Sequence, residues 1–463
     1  MITNKLKSNE GDMKQRYISI LSILLIAVPL GIACKTQLSA NQAYKIGKAA
    51  YIYGYPLVLM ALTEQEHLKR VPINTFAHAR VFPNASFTYI VSPNVDTLYS
   101  TAWLDLKNGP IILKVPNTHG RYYVLELMDA WTNVFASIGK RTTGTHAQAF
   151  AICGPGRHGE LPKGVERIDA PTNTVWILGR IQTDGKKDFA VVHRLQDQLS
   201  LTPLHAANGN KAHDVNPAVF TIKPAEKVEH FNAETFFTKF ASLLKENSAP
   251  MRDRVMINDL AKIGIDANNI FDFKQLPIAI QKSLEKAVRD GLHAIKTSTL
   301  KTGTLVNGWF IADSKKIGNY GTDYEFRAIV ALKGLGANLA ADAVYPFAEI
   351  DSNNQPLTGA KNYIVHFGPD QLPPVHAFWS LTIYNEDHFL VKNILNKYAI
   401  HFYDNLVYND DGSLDILIQH AKPENISNWL PAPQGAFNLV LRLYWPDKEV
   451  LNGQWKPPRI QVV

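Results

Sequence analysis

Cysteine is almost missing from this 463-residue chain: Cys34 and Cys153 are the two it has. They allow at most one disulfide, and that only if both are free to meet in an oxidising compartment. Charge is sparse as well, at 19% of residues, low but still within the globular range. There is no basic run, no RNP-type motif and no zinc-finger spacing, which sets nucleic-acid binding aside. The 15 histidines contain no His-Glu-x-x-His, and there is no P-loop and no Gly-x-Ser-x-Gly elbow, so the common hydrolase and nucleotide signatures are absent. Gly154 to Gly159 matches the spacing of a dinucleotide loop, but Glu160-Leu161-Pro162 follows where a helix is needed, and it reads as a loop. Ser242-Leu243-Leu244-Lys245 and Ser283-Leu284-Glu285-Lys286 have serine–lysine spacing on amphipathic helices without partner motifs. No internal repeat or low-complexity linker divides the chain.

What is present is a globular composition, 46% hydrophobic and 10% aromatic, with 26 prolines and 28 glycines spread along the length. That suits short strands joined by turns over two or three domains. Net charge is +7. The first 33 residues hold Lys5, Lys7, Lys14 and Arg16 against Glu10 and Asp12, which leaves a scattered basic surplus elsewhere. Lys14-Gln15-Arg16 precedes an apolar run from Ile18 to Ala33, and small residues follow, in the order of a secretory leader. The run is short for a membrane span and contains Ser19, Ser22 and Pro29; a retained anchor is the alternative. Met13 sits where a true start would fall. Cys34 ends Leu30-Gly31-Ile32-Ala33-Cys34, which looks like a lipoprotein processing site, although Gly31 stands where Leu is usual. Cleavage without acylation, near Cys34 or after Ala40, is the alternative. The expected location is the bacterial envelope, periplasmic or lipid-tethered, with the membrane touched only through a lipid at Cys34.

Ala43, Ile46, Ala49, Ala50 and Tyr53 recur at helical spacing, so Asn41 to Leu68 reads as helix, interrupted at Gly54-Tyr55-Pro56. From about Phe87 the period becomes that of strands. Thr101–Leu106, Ile111–Val115, Arg121–Leu127, Phe150–Cys153 and Thr174–Ile181 are punctuated by turn residues, as in an antiparallel sandwich or jelly roll. Helical pattern returns over Ala233–Glu246, Met251–Ile263, Ile278–Thr297 and Tyr324–Leu332. Strands dominate again over Asn362–Phe367, Ala377–Tyr384, Leu414–Gln419 and Phe437–Tyr444, with Asp410-Asp411-Gly412-Ser413 as a hairpin turn. The expected division is a leader over 1–33, an N-terminal helix plus β-sandwich over 41–223, a helical connecting region over 224–337 and a C-terminal β-sandwich over 338–463.

Several stretches are similar to a known pair of families. Ser92-Pro93-Asn94-Val95-Asp96-Thr97-Leu98-Tyr99, Asp129-Ala130-Trp131-Thr132-Asn133-Val134 and Gly139-Lys140-Arg141-Thr142-Thr143-Gly144 resemble domain-of-unknown-function family twelve-fifty-four. Phe378-Trp379-Ser380-Leu381-Thr382, Asp411 to Leu414, Trp429 to Pro433, Arg442-Leu443-Tyr444-Trp445-Pro446 and Trp455 to Pro458 resemble family twelve-fourteen. The resemblance implies a mainly β fold with α: two jelly-roll-like antiparallel β-sandwich domains joined by a helical region, in exported proteins. It implies little about activity.

The candidate chemistry is polar. Asn94 and Asp96 share one face of an extended segment that runs on to Tyr99, and Asp129 and Trp131 form a second such pair. If the two strands are neighbours, the carboxylates meet in a cleft and can divide acid and base roles. The plainer reading has both Asp bracing turns. Arg141, beside a glycine-rich turn, offers a fork to a ligand carboxylate or phosphate, or a salt bridge to Asp129 or Asp96. Tyr324 and Arg327, with Asp323, fall where an interdomain crevice would hold a ligand, with a structural clamp as the alternative. Trp379, Tyr384, Tyr444, Trp445 and Trp455 read as core or as a sugar-stacking platform. His366, His376 and His388 lie in one domain, but their spacing demands no metal, and no cofactor is named by any motif. The leading expectation is an exported protein that binds a small molecule through Asn94, Tyr99, Trp131, Tyr324 and Arg327. The alternatives are a hydrolase or lyase using Asp96, Asp129 and Arg141, and a structural subunit of an envelope homo-oligomer.

Overall fold

A computed structural model describes residues 38–463 apart from 89–90, 207, 216–222, 267–268 and 299–302. The leader, the Met13 start and the Cys34 processing site fall outside the described residues. Residues 38–463 form one compact unit.

The N-terminal strands are β1 (Ala77–Ala79), β2 (Thr97–Asp105), β3 (Ile111–Val115), β4 (Tyr123–Asp129), β5 (Val134–Gly139), β6 (Gln148–Cys153), β7 (Val165–Asp169), β8 (Thr174–Gln182), β9 (Ser200–Pro203) and β10 (His213–Val215). One sheet runs β10-β1-β2-β8-β4-β5 and the other β7-β6-β3-β9. Their facing side chains, Leu104, Leu113, Leu125, Phe150, Ile152 and Ile177 among them, form one buried core. This is the aliphatic and aromatic filling that brings two sheets together. Trp103 and Trp176 are cross-strand partners and stack at 5.2 Å, the kind of pair that stabilises a sheet side chain by side chain. At the centre of β8, Gly179 is squeezed from both sides: a Cβ there would lie 2.6 Å from the Ser100 carbonyl oxygen and 2.5 Å from Leu125.

The C-terminal strands are β11 (Gly303–Val306), β12 (Trp309–Ala312), β13 (Ala343–Val344), β14 (Phe347–Ala348), β15 (Tyr363–Phe367), β16 (Val375–Asn385), β17 (Ala399–His401), β18 (Leu414–Gln419), β19 (Trp429–Pro431), β20 (Phe437–Pro446) and β21 (Ile460–Val462). One sheet runs β11-β12-β14-β20-β16-β17, with β13 also on β20, and the other β19-β18-β15-β21. Leu381, Ile383, Leu439 and Leu441 face Val365, Ile416 and Ile418 across the core. Mainly β with α, and two sandwiches joined by helices, is therefore the architecture. Asp410 to Ser413 does form a turn, with Asp411 accepting from the Ser413 N–H. It is not a hairpin: β17 and β18 on either side lie in different sheets.

The helices are α1 (Ala40–Leu68), α2 (Phe189–Gln198), α3 (Pro224–Glu229), α4 (Ala233–Glu246), α5 (Arg254–Lys262), α6 (Ile278–Thr297), α7 (Tyr324–Gly334) and α8 (Lys448–Leu451). Ser39 and Gln42 close a capping box at the start of α1, Asn232 caps α4 and Asp323 caps α7, each satisfying an orphan N–H. The expected break at Pro56 does not occur; α1 runs straight through it. Every residue from Tyr53 to Leu62 is buried, sheathed by α4, α6 and α7 side chains such as Phe236, Phe240, Leu284 and Ala328. Packing on all sides outweighs the one lost backbone bond, and Arg327 donates to the nearby Tyr53 carbonyl at 3.2 Å. Although α1 precedes the first sandwich in the chain, its core is shared with α3–α7. The hairpin β11–β12, within the segment read as helical connector, belongs to the C-terminal sheet.

Candidate functional site

Asn94 sits in the loop that enters β2. Its Oδ1 accepts from the N–H groups of Asp96 and Thr97 at 2.8 and 3.0 Å. Such an Asx turn is the reason for Asn at that position. It throws the Asp96 carboxylate into the C-terminal sandwich, where Ser380 on β16 and Tyr444 on β20 donate to Oδ2, both at 2.9 Å. The Arg442 guanidinium lies 3.9 Å away. His401, at the end of β17, brings Nε2 within 3.2 Å of Oδ1 and equally close to the Val95 carbonyl. The proton aligns with Val95, so Asp96 feels His401 as charge more than as a donor. Asp404 approaches the other ring nitrogen at 3.8 Å. Burial works against the Asp96 carboxylate, but His401, Arg442 and Ser380 outweigh it and hold it below the usual range. Burial likewise works against the His401 imidazolium, yet Asp404 and Asp96 carry it up to about 9, so it is a cation at neutral pH. Arg442 also donates to the Ser92 carbonyl and to the Tyr384 hydroxyl, and Tyr384 donates to the Pro93 carbonyl. The loop before β2 is thus a polar plug seated in the second sandwich.

A second buried set lies beside it. Arg180 on β8 pairs with Glu126 at 3.0 Å, donates to the Tyr99 hydroxyl at 3.3 Å and to the Gly336 carbonyl at 2.7 Å. Burial pushes the Glu126 carboxyl up to about 7, against the pull of Arg180. Arg141 forks onto Asp342 at 2.7 and 2.8 Å, and Ser137 adds a third donor to that carboxylate. Tyr345, between β13 and β14, feels Arg180, Tyr99 and Arg442, so it stands between the two sets.

The third set lies in the helical core. Asp129 accepts from the N–H groups of Trp131 and Asn133 at 2.9 and 2.8 Å and from the Asn133 amide. It braces the tight turn in which Thr132 has a φ of 69°. Burial raises its pKa all the same. Arg327 is fully buried, its guanidinium 5.1 to 5.3 Å from the rings of Tyr53, Trp131 and Tyr324. Tyr53 and Tyr324 both donate to Asp253, at 3.0 and 2.8 Å. A cation held over three ring faces is a strong clamp.

The sequence candidates therefore separate. Trp131, Tyr324 and Arg327 meet, with Asp129 close by; Asn94 and Asp96 meet elsewhere; Tyr99 and Arg141 join the middle set. Asp96 and Asp129 do not meet, and Asp129 braces a turn, as the plainer reading has it. Strand β8 lies between β2 and β4; Asp96 adjoins Thr183 past one end of it, and Asp129 pairs with Val175 near the other. That puts the carboxylates about 25 Å apart along the strand. Arg141 makes its salt bridge with Asp342, not with Asp129 or Asp96. His401, Asp404, Glu126, Arg180 and Asp342 were not among the sequence candidates. Ser380 and Arg442 lie inside the quoted motifs without an assigned role, and Tyr444 is read there as core or sugar-stacking platform.

Trp379, Tyr384 and Tyr444 are buried in the second sandwich, with Trp445 and Trp455 half-buried. His366 pairs with Asp415, His376 with Asp447 and His388 lies by Glu349. Among the described residues no three His, Cys, Asp or Glu side chains are grouped to hold a metal. Among the described residues a small pocket lies between the segment that follows α7 and the second sandwich, bounded by Ile311, Ile317, Val344, Tyr345, Pro346 and Asn338.

The model for "Protein of unknown function (DUF1254)" matches residues 73–203, and the one for "Protein of unknown function (DUF1214)" matches 342–448. The chain carries both domains. The crystal structure of the VPA0106 protein from Vibrio parahaemolyticus superimposes with a TM-score of 0.70 at 24% identity, over 91% of this chain and 100% of that one. That likeness concerns the fold. A Burkholderia cenocepacia protein, described as uncharacterized, aligns over 92% of this chain and 95% of its own at 13% identity and a TM-score of 0.44. No curated protein matches. In this DUF1254–DUF1214 chain the Asp96 and Asp342 networks each take side chains from both matched segments, so the two domains are joined by the residues that mark them.

Proposed function

We propose that the protein is exported to the bacterial envelope and binds a small molecule, without turnover, in the pocket beside Tyr345. Export is supported by the leader-like order of residues 14 to 34. Binding rests on one observation. Asn338 is 2% exposed and borders a cavity of about 60 Å³, and among the described residues neither its Oδ1 nor its Nδ2, both closed to solvent, has a partner. A buried carboxamide left unsatisfied at both ends costs several kcal/mol, roughly 1–3 per group, and such groups are normally met by a neighbour, water or a ligand. The remaining lining is apolar apart from the Tyr345 ring, which suits a pocket that excludes water and orients its guest by a few polar atoms.

The hydrolase or lyase alternative is weakened by what the three named side chains already hold. Asp96 is engaged by Ser380, Tyr444 and the His401 charge, Asp129 by its own turn, and Arg141 by Asp342. A general base must reach a substrate proton, and these carboxylates are closed in. Crystals of the chain isolated from the envelope fraction test the reading. Density for a non-solvent molecule against Asn338 is the expected result; a pocket holding only ordered water, or a chain recovered unprocessed from the cytosol, overturns it.

A further inference from the structure

Helix α6 turns Ile280, Leu284, Ala287, Val288, Gly291 and Ile295 inward. Its opposite face begins with Ile278, 66% exposed, and continues at four- and three-residue spacing with Lys282, Lys286, Arg289, His293 and Lys296, all exposed. At that spacing the basic residues form a single stripe about 20 Å long. A solvated helix face normally mixes charges of both signs, but no acid stands in this stripe. Asp290 and Glu229 pair with Lys286 and Lys296 from its flanks, and half-buried Glu285 is the other acid of the helix. Lys282, Arg289 and His293 form no salt bridge among the described residues. Helix α1 widens the patch. The two helices run side by side in the same direction, with Gly47 against Leu284 and Ala287 and Tyr51 against Gly291. Tyr44 donates to Asp290 and lies 4.2 Å from the Lys286 ammonium. Lys48 adds its charge at Asp290, and exposed Lys45 stands one turn before it. Both helices therefore start at the end where Ile278 lies. Leu38, just before α1, follows Cys34 by four residues, so a lipid on Cys34 would tether the chain from that end.

We propose that this face docks the protein on an anionic phospholipid bilayer, with α6 along the headgroups and Ile278 entering the acyl boundary. The proposal rests on the export reading for the membrane it meets, and not on the pocket. A row of cations draws negative headgroups, and an apolar residue at its end gives an interfacial helix its depth. A polybasic surface is also the second signal that makes a lipid tether a stable attachment.

The test is co-sedimentation of the polypeptide from Lys35 onward, which holds the whole compact unit and no lipid, with vesicles of phosphatidylcholine alone or with about one third phosphatidylglycerol. At neutral pH and low salt, partition onto the anionic vesicles is expected to be at least about tenfold greater. At about 0.5 M salt it should fall to the level of the neutral ones, because exposed charges are then screened. Removing three cations of the face together, Lys45→Gln, Lys282→Gln and Arg289→Gln, should weaken the anionic partition at least about tenfold, and Ile278→Gln should weaken it a few-fold. Lys163→Gln, Lys422→Gln and Lys456→Gln together remove the same charge from exposed sites on the two sandwiches and should leave the partition unchanged. All six positions are exposed, so neither triple variant disturbs the core. Equal sedimentation with both vesicle types, or equal losses in the two triple variants, overturns the docking face. Anionic binding that Ile278→Gln leaves intact and that soluble polyglutamate matches marks the stripe as a site for an acidic chain, and overturns the bilayer assignment. A chain recovered unprocessed from the cytosol, by contrast, refutes export and not these vesicle results.

Discussion

Replacing Asp96 by Asn tests how the two sandwiches are held together. The substitution keeps shape and removes the charge that faces His401 and Arg442, whose side chains are 12% and 5% exposed. His401 keeps Asp404, but it and Arg442 both lose the Asp96 charge, and stripping one member from a buried pair costs about 3–5 kcal/mol. The pH dependence is the sharper test. His401 is raised from 6.5 to about 9 in the folded protein. A raised imidazole gives stability that is complete below its unfolded pKa and lost as pH climbs through the folded one, here about 3 kcal/mol in all, shared between Asp404 and Asp96. At pH 9.5 most of that cation is gone, so the Asp96→Asn penalty should shrink by about 1–2 kcal/mol relative to pH 7. Urea unfolding of wild type and variant at both pH values measures it. A penalty below about 1 kcal/mol, the size of an exposed pair, or one identical at the two pH values, refutes the reasoning.

Arg141→Met should cost about 3–5 kcal/mol, since it strands the Asp342 carboxylate, 1% exposed, without its fork; a thermal melt that shifts by less than a degree or two would contradict this. Gly179→Ala should cost about 1–3 kcal/mol or more, because the new methyl meets the Ser100 carbonyl in the middle of the sheet, and a neutral result would show that β2 and β4 can part. Tyr324→Phe removes the donor at 2.8 Å from Asp253 and should cost about 1–2 kcal/mol, with Tyr53 left to hold the carboxylate; unchanged stability would mean that the bond contributes nothing. Cys34→Ser in cells fed labelled palmitate should lose all label if the leader is a lipoprotein signal, and label that persists would place acylation elsewhere.

Local pattern exposed the long elements. Strand alternation announced β2, β3, β8, β15, β16, β18 and β20, and helical spacing announced α4 to α7. Short strands such as β13 and β14 have no period to show. The continuity of α1 through Pro56 was hidden because its cause is Phe240, Leu284 and Arg327, all far along the chain. The site was legible by composition and not by arrangement. Trp131 and Arg327 were noticed separately, but their meeting depends on the turn that Asp129 braces and on helix packing between distant segments. Whether Asp96 could meet Asp129 hung on strand order, which long-range pairing sets, and β8 lies between their strands. His401 lies 305 positions beyond Asp96 and only three before Asp404, a spacing that carries no signal in a loop. Asn338 had none at all: an asparagine after a helix reads as an ordinary terminator.

Native mass spectrometry of the chain isolated from its own cells addresses the binding claim most directly. The expected spectrum shows the processed polypeptide with a small-molecule adduct that disappears in Ala337→Leu, where a larger side chain replaces a residue that lines the pocket. A bare polypeptide mass in gently prepared wild-type protein, or an adduct retained by Ala337→Leu, would contradict it.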